Sequence, residues 1–288
     1  TLIFGALTGG VYALMSSGFT LIFGVMRVIN LAHGALLIVA AYITWWAWDR
    51  TGIDPLLLGA GVSVVMYGIG WLLYKGVIAR VQRIDPELTL VASLAVAILG
   101  AGVIALIAGT EARAATPSYF NTSIHVGSLV VPRAQLYACA GALLLLGGLY
   151  ALLHRTALGR SIRACATSRT GAELVGIDVE RTMARMFAIG CATTGFGGAA
   201  LAVLYQFVPD SHYVWIGRVL CVVVLGGLGS FAGAALGAAI LGLGEAFTAA
   251  YWDARWITAV PYMLIIAILV VRPEGLLGAR TRIEGSPG

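Results

Sequence analysis

Long stretches without a single charge constrain this chain more than any other feature. Uncharged runs occur at Leu2–Met26, Val28–Trp48, Pro55–Tyr74, Leu88–Gly109, Ala134–Leu153, Met186–Val208, Val219–Gly244 and Trp256–Val271. A helix needs about 20 apolar residues to cross the hydrocarbon of a bilayer, and most of these runs reach that length. Charges fall in short clusters between them. Only 11% of the 288 residues are charged, against about a quarter in a soluble domain. Such a chain cannot cover itself with a polar surface in water, whereas in lipid its outer residues are free to be apolar. The expectation is an all-α, polytopic transmembrane helix bundle forming one domain over residues 1–288. No basic segment precedes the first apolar run, which is also too long for a signal-peptide core, so no secretory leader is expected.

Residues 219–250 would make one straight helix about 48 Å long, too long for a single span. Gly226, Gly227, Gly229 and Ser230 lie inside it, so a break is expected at that glycine turn. The count becomes about eight to nine membrane segments, with broken or re-entrant helices. Basic residues set the orientation. If the 154–185 loop is cytoplasmic, alternation puts thirteen of the 18 basic residues inside, Arg280 and Arg282 among them. Arg50, Arg113, Arg133, Arg218 and Arg255 then fall outside. The C-terminus is expected to be cytoplasmic. In the 110–133 connection, the polar stretch Ser118–Asn121 and the Ile124–Val131 segment with Gly127 read as a small hairpin or loop cap.

The cytoplasmic loop carries most of the surface information. Arg160–Ala166 can form a short helix with Ile162 and Ala166 on one face. Thr170 and Glu173 have capping-box spacing, Gly176 suits a left-handed helix stop, and Asp178 can cap the helix that follows. These patterns fit two short surface helices. Composition alone equally fits a basic tether to anionic headgroups.

Two segments break the apolar pattern. Gly24–Gly34 places Arg27, Asn30 and His33 between two apolar runs. Ionised groups in hydrocarbon cost about 2.5–3.5 kcal/mol each, so these side chains belong in a protein interior, along a watery path, or in a plain cytoplasmic turn. A broken helix here would free backbone groups for a solute. The second segment, Leu225–Gly233, is uncharged and rich in glycine, fitting either close helix packing or a backbone-lined conduction path. Glu245 is the one acid well inside an apolar run. It suits a structural pairing with Arg218 or Arg255, or proton coupling in a self-sufficient secondary carrier.

Enzyme chemistry is not expected. No glycine loop ends in Gly-Lys-Ser/Thr, so any ATP must bind another chain. Cys139, Cys165, Cys191 and Cys221 form no Cys-x-x-Cys pair, and His33, His125, His154 and His212 lack metal-ligand spacing. No serine stands in a nucleophile elbow, and nothing interleaves aromatic and basic residues as nucleic-acid binding requires. No catalytic residue, metal or cofactor is expected.

The stretch Gly10-Val-Tyr-Ala-Leu…Thr20-Leu-Ile-Phe-Gly-Val-Met-Arg-Val-Ile-Asn-Leu-Ala-His-Gly34…Ala41-Tyr42 resembles the branched-chain amino acid ABC permease family, in its H-type half. Gly159-Arg-Ser-Ile-Arg-Ala164 with Ala172-Glu-Leu-Val-Gly-Ile-Asp178 is similar to that family's cytoplasmic loop. Val224–Gly233 resembles its late glycine motif, and Arg272-Pro-Glu-Gly-Leu-Leu-Gly278 its C-terminal signature. Ala40, where glycine often stands, and Arg218, near a common lysine, depart from the pattern.

The resemblance implies a non-catalytic channel subunit of a bacterial inner-membrane importer. It implies a second, homologous permease chain, two cytoplasmic ATP-binding chains and a periplasmic solute-binding protein. The solute would be a branched-chain amino acid or a related small amino or carboxylic acid, with urea or a short amide as the alternative. Residues 158–178 would couple to the ATPases through Gly159, Arg160, Arg163, Ala164, Glu173 and Gly176. Asn30, His33, Gly34, Gly226, Gly227, Gly229 and Ser230 become candidates for lining or gating the path.

Overall fold

A computed structural model describes residues 1–85, 87–126 and 129–278; Gly127, Arg280 and Arg282 lie outside the described residues. Eleven helices carry the fold: α1 (Leu2–Met26), α2 (Ala32–Thr51), α3 (Pro55–Ile84, with a π-helical turn at Tyr74–Ile78), α4 (Leu88–Ala108), α5 (Arg133–Arg155), α6 (Ala157–Thr167), α7 (Arg169–Leu174), α8 (Val179–Leu204), α9 (His212–Gly226), α10 (Phe231–Tyr251) and α11 (Val260–Val271). Six of them, α1, α3, α4, α5, α8 and α10, are long and apolar enough to cross a membrane. With the short α6 and α7 set aside, nine helices remain among the described residues, an all-α bundle as expected.

Helices α1, α2 and α8 form the centre. α8 packs along α1, α2 and α3, and α1 packs along α10. The window of α8 that could span is 89% buried, against 17% for α4, so the bundle has a protein-enclosed axis and a fringe whose outer faces are apolar. Lipid tails are as apolar as leucine, so burial of apolar surface does not hold such helices together; close packing and polar contacts do. The sequence supplies the closeness. Gly18 of α1 lies directly against the backbone of Gly190 in α8, where a side chain on either would clash. The four free cysteines are all buried.

Loops sort onto two faces. One carries α6 and α7. The other carries the antiparallel hairpin β1 (Ser123–Val126) and β2 (Leu129–Pro132), with Ser123 opposite Pro132, as expected for the 110–133 connection. It also carries the 109–115 segment, where Arg113 bridges Phe207 through its backbone.

The split at the glycine turn is present: α9 ends at Gly226 and α10 begins at Phe231. Gly227 and Gly229 take positive φ values of 98° and 85°, a region closed to most side chains. Two expectations need correction. Arg218, put outside by alternation of the spans, sits within α9 and is 9% exposed. The capping pair Thr170–Glu173 is not used either. α7 begins one residue before Thr170, and Ser168 caps it by accepting the Gly171 N–H at 3.1 Å.

Candidate functional site

The interior break lies between α1 and α2. α1 stops at Arg27, which takes the left-handed conformation at φ 55°. For a residue with a Cβ this costs about 1–2 kcal/mol, so the surrounding structure must hold it. The chain then turns back into the bundle. His33 reaches the carbonyl of Met15 through Nε2 at 2.8 Å, and its ring meets Phe19 edge-on at 5.8 Å. Phe19 precedes the end of α1 by two turns, so α2 starts about 10 Å above that end. The segment is therefore a re-entrant break, not a surface turn.

Asn30 secures the start of α2. Its Oδ1 accepts the Ala32 N–H at 3.1 Å, and its backbone carbonyl accepts the His33 N–H at 3.2 Å. Ser93 of α4 accepts the Leu31 N–H at 3.0 Å. Gly34 packs on the backbone of His212 and on Ile216, so the N-terminal ends of α2 and α9 meet inside the protein. The first amide hydrogens of α2 are already taken up within the protein. His33 is 0% exposed, Asn30 2% and His212 3%.

Pairing at this junction is incomplete. Asn30 Nδ2, His33 Nδ1 and His212 Nε2 are buried without a protein partner. Because His33 Nε2 faces a carbonyl, it carries the proton, which leaves Nδ1 as a bare acceptor. His212 Nδ1 faces the Pro209 carbonyl at 3.0 Å, and its Nε2 has no protein partner. Buried polar groups are normally paired, so a cluster of exceptions calls for an explanation. The sequence marked Asn30, His33 and Gly34. It gave no reason to join His212 to them, because that contact bridges 178 positions.

The glycine turn lies apart, at the far end of α9, about 20 Å along the helix axis. There Gly229 meets Gly24 and Gly227 packs on Gly278. Leu276 and Leu277 donate backbone N–H groups to the carbonyls of Leu225 and Gly226 at 2.8 and 3.0 Å. Ser230 caps α10 by accepting the Gly233 N–H at 3.1 Å. Thus the first motif, the glycine motif and the C-terminal signature converge at one point.

A second polar cluster contains the expected pairing of Glu245 with Arg218, joined by two tyrosines that the sequence did not mark. Arg218 donates through Nε to Glu245 Oε1 at 2.8 Å, and Tyr12 donates to Glu245 Oε2 at 2.5 Å. The Tyr12 and Tyr205 hydroxyls lie 3.2 Å apart, and the guanidinium lies over the Trp215 ring at 4.9 Å. These groups tie together α1, α9, α10 and the end of α8.

On the opposite loop face, Thr156 caps α6 by accepting the Gly159 N–H at 3.1 Å, and Asp178 caps α8 by accepting the Arg181 N–H at 2.9 Å. Gly176 takes φ 79° as expected. Ile162 and Cys165, not Ile162 and Ala166, form the buried face of α6. Burial pushes the Cys165 thiol pKa up. Gly159 is buried under the end of α5, and Arg163 donates to the Leu153 carbonyl there. Arg160 and Glu173 stay exposed, and Leu174 and Val175 are 84% and 74% exposed beside them.

The family described as "Branched-chain amino acid transport system / permease component" matches residues 1–269. The chain belongs to this family. Among relatives of the permease is the high-affinity branched-chain amino acid transport system permease protein LivH of Escherichia coli, 30% identical over 97% of this chain and 95% of the relative. The counterpart BraD of Pseudomonas aeruginosa is 27% identical over 98% and 96%. A probable branched-chain amino acid transport permease protein LivH of Methanocaldococcus jannaschii is 26% identical over 92% and 88%. No solved structure matches. With six helices able to span, the permease is a multi-pass membrane protein.

Proposed function

We propose that this permease is the non-catalytic channel subunit of an ATP-driven importer in the bacterial inner membrane. It would move branched-chain amino acids, or related small amino or carboxylic acids, and its C-terminus would face the cytoplasm. It would pair with a second permease chain, two ATP-binding chains and a solute-binding protein. The near-full-length match to the branched-chain amino acid permeases carries this reading. The Arg218–Glu245 ion pair argues against a proton-coupled carrier, because it occupies the one buried carboxylate among the described residues.

Asn30, His33 and Gly34 would line or gate the path, with His212 joining them. A bare donor at Asn30 and a bare acceptor at His33, with the unpaired His212 Nε2 beside them, match the carboxylate and ammonium of an amino acid. Gly226, Gly227, Gly229 and Ser230 would form a hinge at the inner end of α9.

α6 and α7 would dock on the ATPases. An exposed apolar tip, Leu174–Val175, ringed by charge has the character of a protein-binding surface. Arg163 holds α6 to α5, so Arg160 is the cleaner probe. Arg160→Glu should cut recovery of the ATPases in a pull-down about tenfold, equal to roughly 1.4 kcal/mol, with the melting temperature unchanged. Recovery at the wild-type level would remove the docking assignment. In proteoliposomes, concentrative uptake should require the partner chains, the binding protein and ATP together.

A further inference from the structure

A long apolar groove of about 510 Å³ runs between α2, α3 and α4, bordered by residues from Ala32 to Trp46 on one wall and Val96 to Ala108 on another. The fourteen steps from Ala32 to Trp46 along α2 cover about 21 Å, more than the roughly 15 Å of hydrocarbon in one leaflet. Its length and lining suit a single acyl chain. Gly100 leaves the floor of the α4 wall open: a side chain built there would meet nothing within 4 Å.

One end of the groove is chemically different. Tyr42, Trp45 and Trp46 line it. The Arg113 guanidinium lies 4.8 Å from the centre of the Trp45 ring, and that of Arg50 lies 3.8 Å from Trp46. Arg113 is held only loosely by Glu111, at 3.4 Å, and a third of its side chain is exposed. Its Nε and the Tyr42 hydroxyl are buried without protein partners. The Tyr42 residue is 6% exposed. Tryptophan and arginine at the end of an apolar segment mark the headgroup level of a bilayer, and guanidinium groups suit a phosphodiester.

We propose that this groove is a specific site for one anionic phospholipid. Its acyl chain would lie along α2 and α4, and its phosphate would sit at Arg113 beside Arg50 and Tyr42. The tail gains little by leaving bulk lipid, which is equally apolar. Selectivity must therefore come from the headgroup charge, and an anionic lipid must bind more tightly than a zwitterionic one.

The test uses the purified full chain in a neutral detergent, with palmitoyl-oleoyl phosphatidylglycerol or phosphatidylcholine added and retained lipid counted by native mass spectrometry. Wild type should retain one phosphatidylglycerol at least tenfold more tightly than phosphatidylcholine. Gly100→Leu should cut that affinity at least tenfold. Gly102→Leu, on the same helix but outside the groove lining and also free of contacts, should leave it unchanged. Arg113→Gln, outside the helices, should abolish the preference between the lipids. A photoreactive phosphatidylglycerol carrying its label in mid-chain should cross-link wild type at α2 or α4. Equal retention of both lipids by wild type, or unaltered retention by Gly100→Leu, overturns the site. Loss of pairing with a second permease chain in Gly100→Leu, with lipid retention unaltered, would make the groove a protein interface instead.

Discussion

Tyr12, Tyr205, Arg218 and Glu245 form a polar cluster in which both oxygens of the buried carboxylate are paired, whereas Asn30, His33 and His212 form one in which three buried atoms have no protein partner. Both lie inside the same bundle and both involve α1 and α9. In a low-dielectric interior a fully paired network fixes geometry, while an unpaired group is costly. The first cluster is therefore a structural clamp between four helices. At the second, free valences remain for a group that comes and goes.

The largest effect should come from breaking the clamp. Glu245→Ala strands a buried guanidinium, and removing one partner of such a pair costs about 3–5 kcal/mol. A sharp fall in melting temperature in detergent is the expected result. The double replacement Arg218→Met with Glu245→Leu should recover most of the loss, because apolar residues of similar volume replace a buried pair nearly without penalty. If Glu245→Ala melts like wild type and loses uptake, the clamp would be a transport site and the contrast would reverse.

A smaller effect should come from the other cluster. His33→Ala removes one hydrogen bond to a helix carbonyl, worth about 0.5–1.5 kcal/mol, and leaves a small void beside Phe19. Assembly with partner chains should persist. Uptake by the reconstituted importer should fall about tenfold or more, a barrier change of at least ~1.4 kcal/mol. Wild-type uptake in this variant would return the break to a packing role.

What the sequence made legible follows from local chemistry. The split at Gly226–Ser230, the stop at Gly176 and the cap at Asp178 were readable because glycine and aspartate act on their own neighbourhood of backbone. Arg27, Asn30 and His33 were readable as a break because polar groups interrupt an apolar run. The depth of that break was not, since it depends on which turn of α1 meets His33. Glu245 was readable as the partner of Arg218 or Arg255 because a lone acid in an apolar run needs a cation; the choice of Arg218, 27 positions away, was not, since only the packing of α9 on α10 makes it. Tyr12 and Tyr205 gave no signal at all; a tyrosine in an apolar helix looks the same paired or unpaired. The Ser168 cap displaced the Thr170–Glu173 pattern because both fit the spacing rules and the fold selects one.

The smallest and most discriminating change is Asn30→Ser. Asn30 has two separable roles: Oδ1 accepts the Ala32 N–H, and Nδ2 has no protein partner. Serine keeps an acceptor suited to the first turn of a helix, so the capping contribution survives to within a few tenths of a kcal/mol, while alanine would lose about 1 kcal/mol. Serine also removes the amide donor. Melting temperature should therefore stay at the wild-type value in Asn30→Ser and drop by a few degrees in Asn30→Ala. If Nδ2 meets the solute, both variants should lose uptake to a similar extent, severalfold, despite their different stabilities. If uptake instead follows stability, normal in serine and reduced in alanine, the side chain serves only as a cap and the free amide is not part of the path.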